Sequence, residues 1–332
     1  MSVASSAPTN TGAGSSGPGR VGERRRPGGE HVSVTPSDAR TRTMRAAIAV
    51  ANDYVTLTKP RIISLLLLTC VATMFVADPS GPALSTILWT CLGGYLAAGG
   101  AGAINHYIER ERDARMARTK GRPLASGRIE PRRGLAFGTT LGVVAVVQLW
   151  VTVNGLTAVL AAAGLLGYVF VYTLWLKPRT PQNIVLGGAA GAMPPLVGWA
   201  AATGDLSAEA LWPFAIVFFW TPPHFWALSL LISDDYAKTG VPMLPVVRGE
   251  TTTRHQIVGY ALLLVAVTIG PAITGLFGAI YLIAALALGA GFVGLALLLL
   301  AHPSRGAARR LYLSSLAYLA LLFVAMALDR AL

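Results

Sequence analysis

The sequence is poor in charged residues and in cysteine. Only 13% of its 332 residues are charged, whereas a soluble domain carries roughly 25%. The two cysteines, Cys70 and Cys91, lie in apolar stretches, where a free thiol behaves as a small buried apolar residue. No group of histidines and cysteines has the spacing of a zinc site. These shortages exclude a disulfide-stabilised secreted domain and a zinc protein, and they favour lipid as the solvent.

The apolar residues make up 54% of the chain and are concentrated in nine runs. Each run is long enough to cross a hydrocarbon core about 30 Å thick as a helix, and none shows the alternation of barrel strands. The sequence therefore predicts an all-α polytopic membrane protein, with nine transmembrane helices in a bundle that encloses a cavity open to the cytoplasmic side. The predicted spans are 62–78, 83–104, 134–152, 156–176, 184–202, 211–232, 257–275, 279–300 and 311–328.

Positive charge is divided unevenly between the connections. The net charge is +12, and all Lys and Arg residues except Arg330 fall before the first predicted span and in alternate connections, within 105–133, 177–179, 233–256 and 302–310. Because basic connections stay on the cytoplasmic side, we expect a cytoplasmic N-terminus and an external C-terminus. Topology accounts for the basic residues, so we expect the lipid bilayer and no nucleic acid as a partner.

Residues 1–45 are rich in Ser, Gly, Pro, Thr and Arg and contain few large apolar side chains. Such a segment cannot bury enough apolar surface to fold, so we predict a disordered cytoplasmic tail before a transmembrane domain at 46–332. The tail lacks the apolar stretch of a secretory signal, and its acidic residues Glu23, Glu30 and Asp38 fit a mitochondrial transit peptide poorly. A bacterial plasma membrane is therefore favoured over the mitochondrial inner membrane.

A polar triplet follows the second predicted span. Asn105, Glu109 and Asp113 are spaced four residues apart, so in a helix they project from one face. An amide oxygen and two carboxylates form a hard-oxygen set that suits Mg²⁺, which shares its shell with water and substrate phosphates. We predict metal-binding and catalytic roles for all three. The alternative is a solvated helix start in which nearby arginines offset the carboxylates.

Three cations follow the triplet in the same connection. Arg118, Lys120 and Arg122 can hold phosphate oxygens, and the two arginines offer bidentate geometry. Acidic ligands, a metal and basic residues together describe a diphosphate site. We therefore predict that these three side chains bind substrate.

A second polar segment, 220–250, begins in the sixth span and continues into a cytoplasmic connection. Asp235 is a candidate ligand of a metal, with Asp234 beside it, and we predict substrate-binding roles for both. Lys238 can neutralise a phosphate oxygen and is assigned a catalytic role, while Tyr236 is assigned to the substrate site. As an alternative, an Asp-Asp pair at a helix end is merely solvated.

His224 lies in the sixth span next to Pro222 and Pro223, which remove helix hydrogen bonds and predict a kink. A histidine at this depth is a candidate binding residue, and the alternative is a hydrogen bond to a neighbouring helix. His106 is a second candidate beside the triplet.

Two motifs carry a family resemblance. The triplet, together with RTKGRPLASGRI at 118–129, is similar to the signature of the UbiA-type intramembrane prenyltransferases, although Glu109 stands where the all-Asp form has Asp. The text DDYAKTGVPMLPVV at 234–247 and Pro-His-Phe-Trp at 223–226 resemble the haem-modifying branch of that family.

This resemblance implies a Mg²⁺-dependent enzyme that transfers the farnesyl group of farnesyl diphosphate to a vinyl group of haem b, giving haem o. It also implies that His224 contacts the haem, through the iron or through a propionate, and that a haem a synthase acts downstream. The alternatives are a relative acting on a quinone precursor or chlorophyllide, or a transporter or scaffold, which has no need of the triplet.

Overall fold

The structure is a computed structural model that describes residues 36–332, so most of the predicted tail, residues 1–35, lies outside the described residues. The chain divides into two units, one ending at Ala46 and one comprising Ala47–Leu332. The described part of the first unit is the start of helix α1, which begins at Pro36, ahead of the predicted domain boundary at residue 46. Helix α1 was not predicted, because its first turns are polar and lack an apolar run.

The second unit continues α1 and adds eleven further α-helices. The described α-helices are α1 (Pro36–Thr58), α2 (Pro60–Ala77), α3 (Leu84–Asp113), α4 (Pro131–Thr152), α5 (Gly155–Leu166), α6 (Asn183–Gly191), α7 (Met193–Thr203), α8 (Leu211–Leu231), α9 (Ser233–Lys238), α10 (Leu244–Ile273), α11 (Ala279–Ala301) and α12 (Arg305–Ala331). Two other helical elements occur: a π-helical segment, Gly167–Leu176, directly continues α5, and a 3₁₀ turn, Ala208–Ala210, precedes α8. No strand occurs between residues 36 and 332.

Nine segments of the described chain are long and apolar enough to span a membrane. They are α2, α3, α4, α5 with the π-helical segment, α6 with α7, the 3₁₀ turn with α8, α10, α11 and α12. The prediction of nine helices is therefore confirmed. Large apolar side chains on these helices remain exposed, such as Val151 at 76% and Ile283 at 68%. An exposed apolar surface of this kind suits lipid rather than water.

Small residues decide how closely the first helices pack. Helix α3 packs extensively against α4, and Gly100 and Gly138 face each other at that contact: a Cβ added at Gly138 would lie 2.9 Å from the Gly100 carbonyl oxygen. Helices α2, α7, α8 and α12 enclose the main core with α10 and α11. Helix α8 continues through Pro222 and Pro223 and remains helical as far as Leu231.

The two polar connections meet at one end of the bundle. Met116, from the connection after α3, shares a buried cluster with Ile184 of α6 and with Tyr236, Val241 and Met243 around α9. The second connection also accepts a hydrogen bond from the first, because the backbone N–H of Ala117 lies 3.4 Å from Asp235 Oδ1. The fold therefore brings together the two segments in which sequence analysis placed the site.

Candidate active site

The triplet lies on the last turns of α3 and is buried. Asn105, Glu109 and Asp113 are exposed by only 2%, 5% and 4%. Asn105 Nδ2 donates to Glu109 Oε2 at 3.1 Å, so these side chains share one face as the spacing predicts. The alternative of a solvated helix start is therefore wrong, because the carboxylates of Glu109 and Asp113 are withdrawn from water, whereas Glu111 and Arg115 nearby are exposed.

Each member of the triplet contacts a cation. Lys59 Nζ donates to Asn105 Oδ1 at 2.8 Å, and Arg122 Nη1 lies 2.7 Å from Asp113 Oδ2. Lys177 forms an ion pair with Glu109. We call this group of six side chains the ionic cluster, and its members are Lys59, Asn105, Glu109, Asp113, Arg122 and Lys177. Since an unpaired buried charge is costly, these pairings are what allow two carboxylates to lie one turn apart away from water.

Lys59 reaches the triplet because of an unusual backbone. It joins α1 to α2 with φ at 58°, in the left-handed region, and Pro60 begins the next helix. Gly102 of α3 lets this junction approach closely, since a Cβ there would lie 3.1 Å from the Leu57 carbonyl oxygen. Burial, with the nearby Arg122 guanidinium second, lowers the pKa of Lys59 to about 7. The Gly-rich run of α3 thus seats a cation against the triplet.

The π-helical segment supplies the opposite wall of the ionic cluster. Thr173 accepts from Asn105 Nδ2 at 3.2 Å and donates to the Tyr168 carbonyl oxygen at 2.8 Å. Lys177 directly follows the segment; burial by itself would lower the pKa of this lysine, but the Glu109 carboxylate, together with Tyr236 and Tyr168, outweighs burial and raises it. The rings of Tyr168 and Tyr172 face the Lys59 and Lys177 ammonium groups, each at 6.0 Å. Wider π-helical turns are frequent at functional sites.

The other predicted phosphate-binding residues lie outside these contacts. Arg118 and Lys120 are exposed, and neither forms an ion pair within the described chain. Between them, buried Thr119 donates to the Asp113 carbonyl oxygen at 2.9 Å and fixes the start of the connection. Of the three predicted cations, only Arg122 therefore contacts the triplet.

The predicted site residues of α9 lie outside the ionic cluster, at the rim formed by the two polar connections. Asp234 and Lys238 are exposed, Tyr236 is buried between the two connections, and Asp235 accepts the weak hydrogen bond from Ala117. None of the contacts of the described residues joins Asp235 to the triplet. The described chain also contains no group of three or more His, Cys, Asp and Glu side chains arranged to hold a metal.

The donor chemistry of the triplet nevertheless suits Mg²⁺. Mg²⁺ is usually bound by one or two carboxylates and completes its shell with water and substrate phosphates, so it needs no larger acidic group. Glu109 and Asp113 provide the two carboxylates, and Asn105 provides an amide oxygen on the same helix face. Lys59, Arg122 and Lys177, which contact these oxygens, have long side chains.

His224 lies in a separate aromatic environment on α8. Trp220 stacks against its ring with centroids 4.2 Å apart, and Tyr312 of α12 stacks with centroids 4.9 Å apart. Its Nδ1 lies 2.6 Å from Ser315 Oγ, and Trp220 Nε1 donates to the Ser315 carbonyl oxygen at 2.8 Å. We call His224, Trp220, Tyr312 and Ser315 the histidine centre. The other candidate, His106, is buried, and neither of its ring nitrogens has a partner in the described part of the chain.

Sequence reasoning missed Lys59, Lys177 and Thr173 as members of the site. A lysine at the end of a span is ordinarily read as a marker of the cytoplasmic side, and Lys177 was interpreted in that way alone. Lys177 directly follows an apolar run and Lys59 lies three residues before one, which was the available signal. Their inward direction depends on the left-handed junction and on the π-helical turn, neither of which the residue pattern shows.

Comparison with known proteins decides the family. Residues 66–325 match the model of the UbiA prenyltransferase family, which is well over half of the chain. The chain belongs to this family. The resemblance predicted from the sequence motifs is thus confirmed, and the matched region contains the triplet, Lys177 and the histidine centre.

Relatives and solved structures of UbiA proteins extend the comparison. A protoheme IX farnesyltransferase of Roseiflexus sp. (strain RS-1) is 53% identical over 282 residues, which are 85% of this chain and 53% of that protein. Another, of Symbiobacterium thermophilum, is 51% identical, and the match covers 84% of this chain and 94% of that one. A UbiA homologue from Archaeoglobus fulgidus bound to GPP and Mg²⁺ has a TM-score of 0.59 at 14% identity, covering 82% of this chain and 99% of that one.

The extent of these matches differs. This chain spans about half the length of several curated relatives, between 46% and 53%. The likeness to the Archaeoglobus structure, at 14% identity, concerns the fold alone. Together with nine apolar helices and bacterial relatives, the UbiA fold makes this a multi-pass membrane protein of a bacterial type.

Proposed function

We propose that this protein transfers the farnesyl group of farnesyl diphosphate to a vinyl group of haem b and forms haem o. The observation that carries the proposal is the ionic cluster, in which three buried oxygen-bearing side chains are each held by a cation. The relatives named protoheme IX farnesyltransferase, at 51% and 53% identity, support haem as the acceptor.

The cations of the ionic cluster have a second set of partners when a diphosphate arrives. Lys59, Lys177 and Arg122 turn from Asn105, Glu109 and Asp113 to the diphosphate oxygens. Charge-assisted hydrogen bonds of this kind are among the strongest in proteins, and an arginine can make two in parallel. Arg118, Lys120 and Lys238 are exposed at the rim, where they attract the anion and take remaining phosphate charge.

The exchange leaves the triplet free to hold Mg²⁺. Asn105, Glu109 and Asp113 would hold the ion, and Asp235, with Asp234 beside it, would be available for a second metal contact. When bound, the ion would neutralise charge on the leaving diphosphate.

The transfer breaks the C1–O bond of farnesyl diphosphate, the π bond of the vinyl group and one O–H bond of water, and it forms one C–C bond and one C–O bond. The C1–O bond of farnesyl diphosphate breaks, and its electron pair leaves with diphosphate, which gives an allylic cation. The faces of Tyr168 and Tyr172, already turned toward ammonium groups, stabilise that positive charge. The terminal vinyl carbon bonds to C1, and water then adds to the inner vinyl carbon and loses a proton. Burial of the site limits premature reaction of the cation with water.

His224 orients the acceptor in this proposal, and Tyr236 lies between the two connections that border the diphosphate. The cytoplasmic side is the side of the basic connections, so the N-terminus is cytoplasmic and the C-terminus is external. The membrane is the bacterial plasma membrane. Haem o is then consumed by a haem a synthase. Accessibility of cysteines introduced at exposed Arg118 and Asp205 tests this orientation, with Arg118 expected on the cytoplasmic side.

The proposal is tested with the purified full-length protein in detergent. Farnesyl diphosphate and Mg²⁺ are supplied with haem b, with 4-hydroxybenzoate or with chlorophyllide, and products are identified by mass spectrometry. We expect haem o from haem b and no prenylated product from the other two acceptors. Prenylation of an aromatic acid or of chlorophyllide without haem o would overturn the haem assignment and leave the UbiA prenyltransferase assignment intact.

A further inference from the structure

Aromatic rings cover both faces of the His224 ring, so only its two nitrogens are left to bind a ligand. Trp220 and Tyr312 lie nearly parallel to the ring, at interplanar angles of 19° and 29°. Phe225 meets its edge, with centroids 5.4 Å apart and planes at 83°. This packing fixes the plane of the imidazole. The function of the residue therefore depends on which nitrogen carries the hydrogen.

The Ser315 hydroxyl determines which nitrogen of His224 carries the hydrogen, because it can donate only one hydrogen bond. Ser315 Oγ lies 2.6 Å from the Tyr312 carbonyl oxygen and 2.6 Å from His224 Nδ1. A carbonyl oxygen can only accept, so the Ser315 hydrogen must point to Tyr312 if that short contact is a hydrogen bond. The hydroxyl oxygen then accepts from His224, and Nδ1 must carry a hydrogen. If Ser315 instead donated to Nδ1, two oxygens would face each other at 2.6 Å without a hydrogen between them.

The second nitrogen of His224 is left with a lone pair. Nε2 has no hydrogen-bond partner within residues 36–332, yet it is not closed off as both nitrogens of His106 are. His224 also takes part in none of the ion pairs of that part of the chain, so no carboxylate there stabilises a second proton. A buried, unpaired imidazolium would be costly, and the ring is therefore neutral.

We propose that Ser315 is a positioning residue that holds His224 in the Nδ1–H form, so that Nε2 binds the iron of the haem substrate. This inference rests on the proposed function. It separates the two roles that the sequence left open, since a neutral Nε2 can bind iron but has no hydrogen to donate to a propionate. A hydrogen bond from the other ring nitrogen to an oxygen is the usual support of a histidine that binds a metal. Trp220 strengthens it by fixing the backbone of Ser315.

The test compares two porphyrins that differ only in iron. The full-length protein in detergent is titrated with ferric haem b and with metal-free protoporphyrin IX, which keeps both propionates. For the unaltered protein with haem, we expect the absorption and electron paramagnetic resonance signals of a nitrogen ligand. His224→Ala should lose that ligand and bind haem at least about tenfold more weakly. Its affinity for the metal-free porphyrin should be unchanged, and added imidazole should restore the spectrum.

Ser315 is examined in the same titration. Ser315→Ala should weaken haem binding about tenfold and broaden the ligand signal, whereas Ser315→Thr, which keeps a hydroxyl, should retain both. Ser314→Ala is the matched control, because Ser314 is the preceding residue of α12 and makes no hydrogen bond in the described chain. A structural defect alone would weaken the binding of both porphyrins, so the difference between them isolates the iron contact.

Three outcomes would overturn the inference. The first is a haem complex of the unaltered protein that lacks a nitrogen ligand, which is decisive even if a variant fails to fold. The second is an equal loss of both porphyrins in His224→Ala, which would indicate a propionate contact. The third is an unchanged haem spectrum in Ser315→Ala. Haem o formation is measured separately by mass spectrometry, so a protein that coordinates haem but makes no haem o would contradict the proposed function rather than the iron contact.

Discussion

The ionic cluster and the histidine centre solve the problem of burying polar groups in opposite ways. In the ionic cluster, three cations on long side chains bind the oxygens of Asn105, Glu109 and Asp113. In the histidine centre, a neutral ring is fixed by stacked aromatic groups and by a hydroxyl that is itself hydrogen-bonded to the backbone. The long side chains of the ionic cluster suit an exchange of partners, whereas the packed ring of the histidine centre suits a single fixed contact.

This difference corresponds to the two proposed substrates. A diphosphate brings charge and leaves without its prenyl group, so its site must take up and release anionic oxygens, and flexible lysines suit that task. A haem must present one vinyl group in a constant position, so its site benefits from a rigid contact. The comparison predicts that variants of the ionic cluster change charge-dependent steps, while variants of the histidine centre change acceptor geometry.

The largest effect is expected from removing the charge of a triplet carboxylate. Asp113→Asn keeps the size of the side chain but removes the charge that Mg²⁺ and Arg122 require. We expect haem o formation to fall roughly 100- to 1,000-fold, as for the loss of a group that stabilises transition-state charge. The rate at saturating Mg²⁺ is the measurement. Haem coordination should be unchanged, and near-normal turnover would remove Asp113 from the site.

The matched control for this variant is Glu111→Gln. Glu111 lies on the same helix, but its side chain is 73% exposed and pairs with Arg110. Its substitution should leave haem o formation unchanged. A loss equal to that of Asp113→Asn would indicate that general acidity of the α3 end, rather than the buried face, supports the reaction.

The second prediction concerns the exchange of partners by Lys177. Its side chain is 12% exposed and that of Glu109 is 7% exposed, so Lys177→Met leaves a buried carboxylate without a partner. We expect the free energy of unfolding to fall by about 3 to 5 kcal/mol. Adding Glu109→Met removes the unpaired charge and should recover most of the stability without recovering turnover. Thermal denaturation in detergent and haem o formation, measured together, give both quantities.

An outcome in which Lys177→Met is fully stable would contradict the pairing. One in which the double variant regains turnover would show that the pair is structural and has no part in binding the diphosphate. The same double variant should coordinate haem normally, which keeps the two regions distinct.

The fold was predictable to a greater degree than the site. Nine apolar runs predict nine spans, because lipid requires long continuous apolar helices and little else satisfies the backbone there. The placement of Asn105, Glu109 and Asp113 on one buried face also follows from their spacing in a helix. Helix α1 was missed because amphipathic or polar helices beside a membrane carry no such run.

The partners of the triplet were not predictable from the sequence. Arg122 is near Asp113 along the chain. Lys59, however, is 46 residues from Asn105, and Lys177 is 68 residues from Glu109. Only tertiary packing brings these partners together. Their positions require a left-handed residue and a π-helical turn, and both are local conformations that the packed bundle imposes. Likewise, the Ser315 contact joins residues 91 positions apart and gives no local signal.

The third prediction compares two arginines of one connection. Arg122 contacts Asp113, whereas Arg118 is exposed. Arg122→Ala should weaken the binding of farnesyl diphosphate by about 1.5 to 3 kcal/mol, the value of a charged hydrogen bond. Arg118→Ala should weaken it by no more than about 1 kcal/mol, since solvent screens an exposed contact. Calorimetry with farnesyl diphosphate measures both, and equal losses would mean that the connection closes over the substrate.

The smallest effect is expected at an ion pair outside both regions. Arg128 binds both carboxylate oxygens of Asp53, at 3.0 and 3.1 Å, and joins the connection after α3 to α1. The Asp53 carboxylate raises the pKa of Arg128, but the arginine side chain is 48% exposed and solvent weakens the pair. Asp53→Asn should therefore lower the free energy of unfolding by no more than about 1 kcal/mol. Turnover and haem coordination should be unaltered, because Asp53 contacts neither the ionic cluster nor the histidine centre. A large loss of diphosphate affinity, with haem coordination intact, would instead show that the ionic cluster depends on how this connection is anchored. The contrast between the ionic cluster and the rigid histidine centre would then extend to a contact at the surface of the protein.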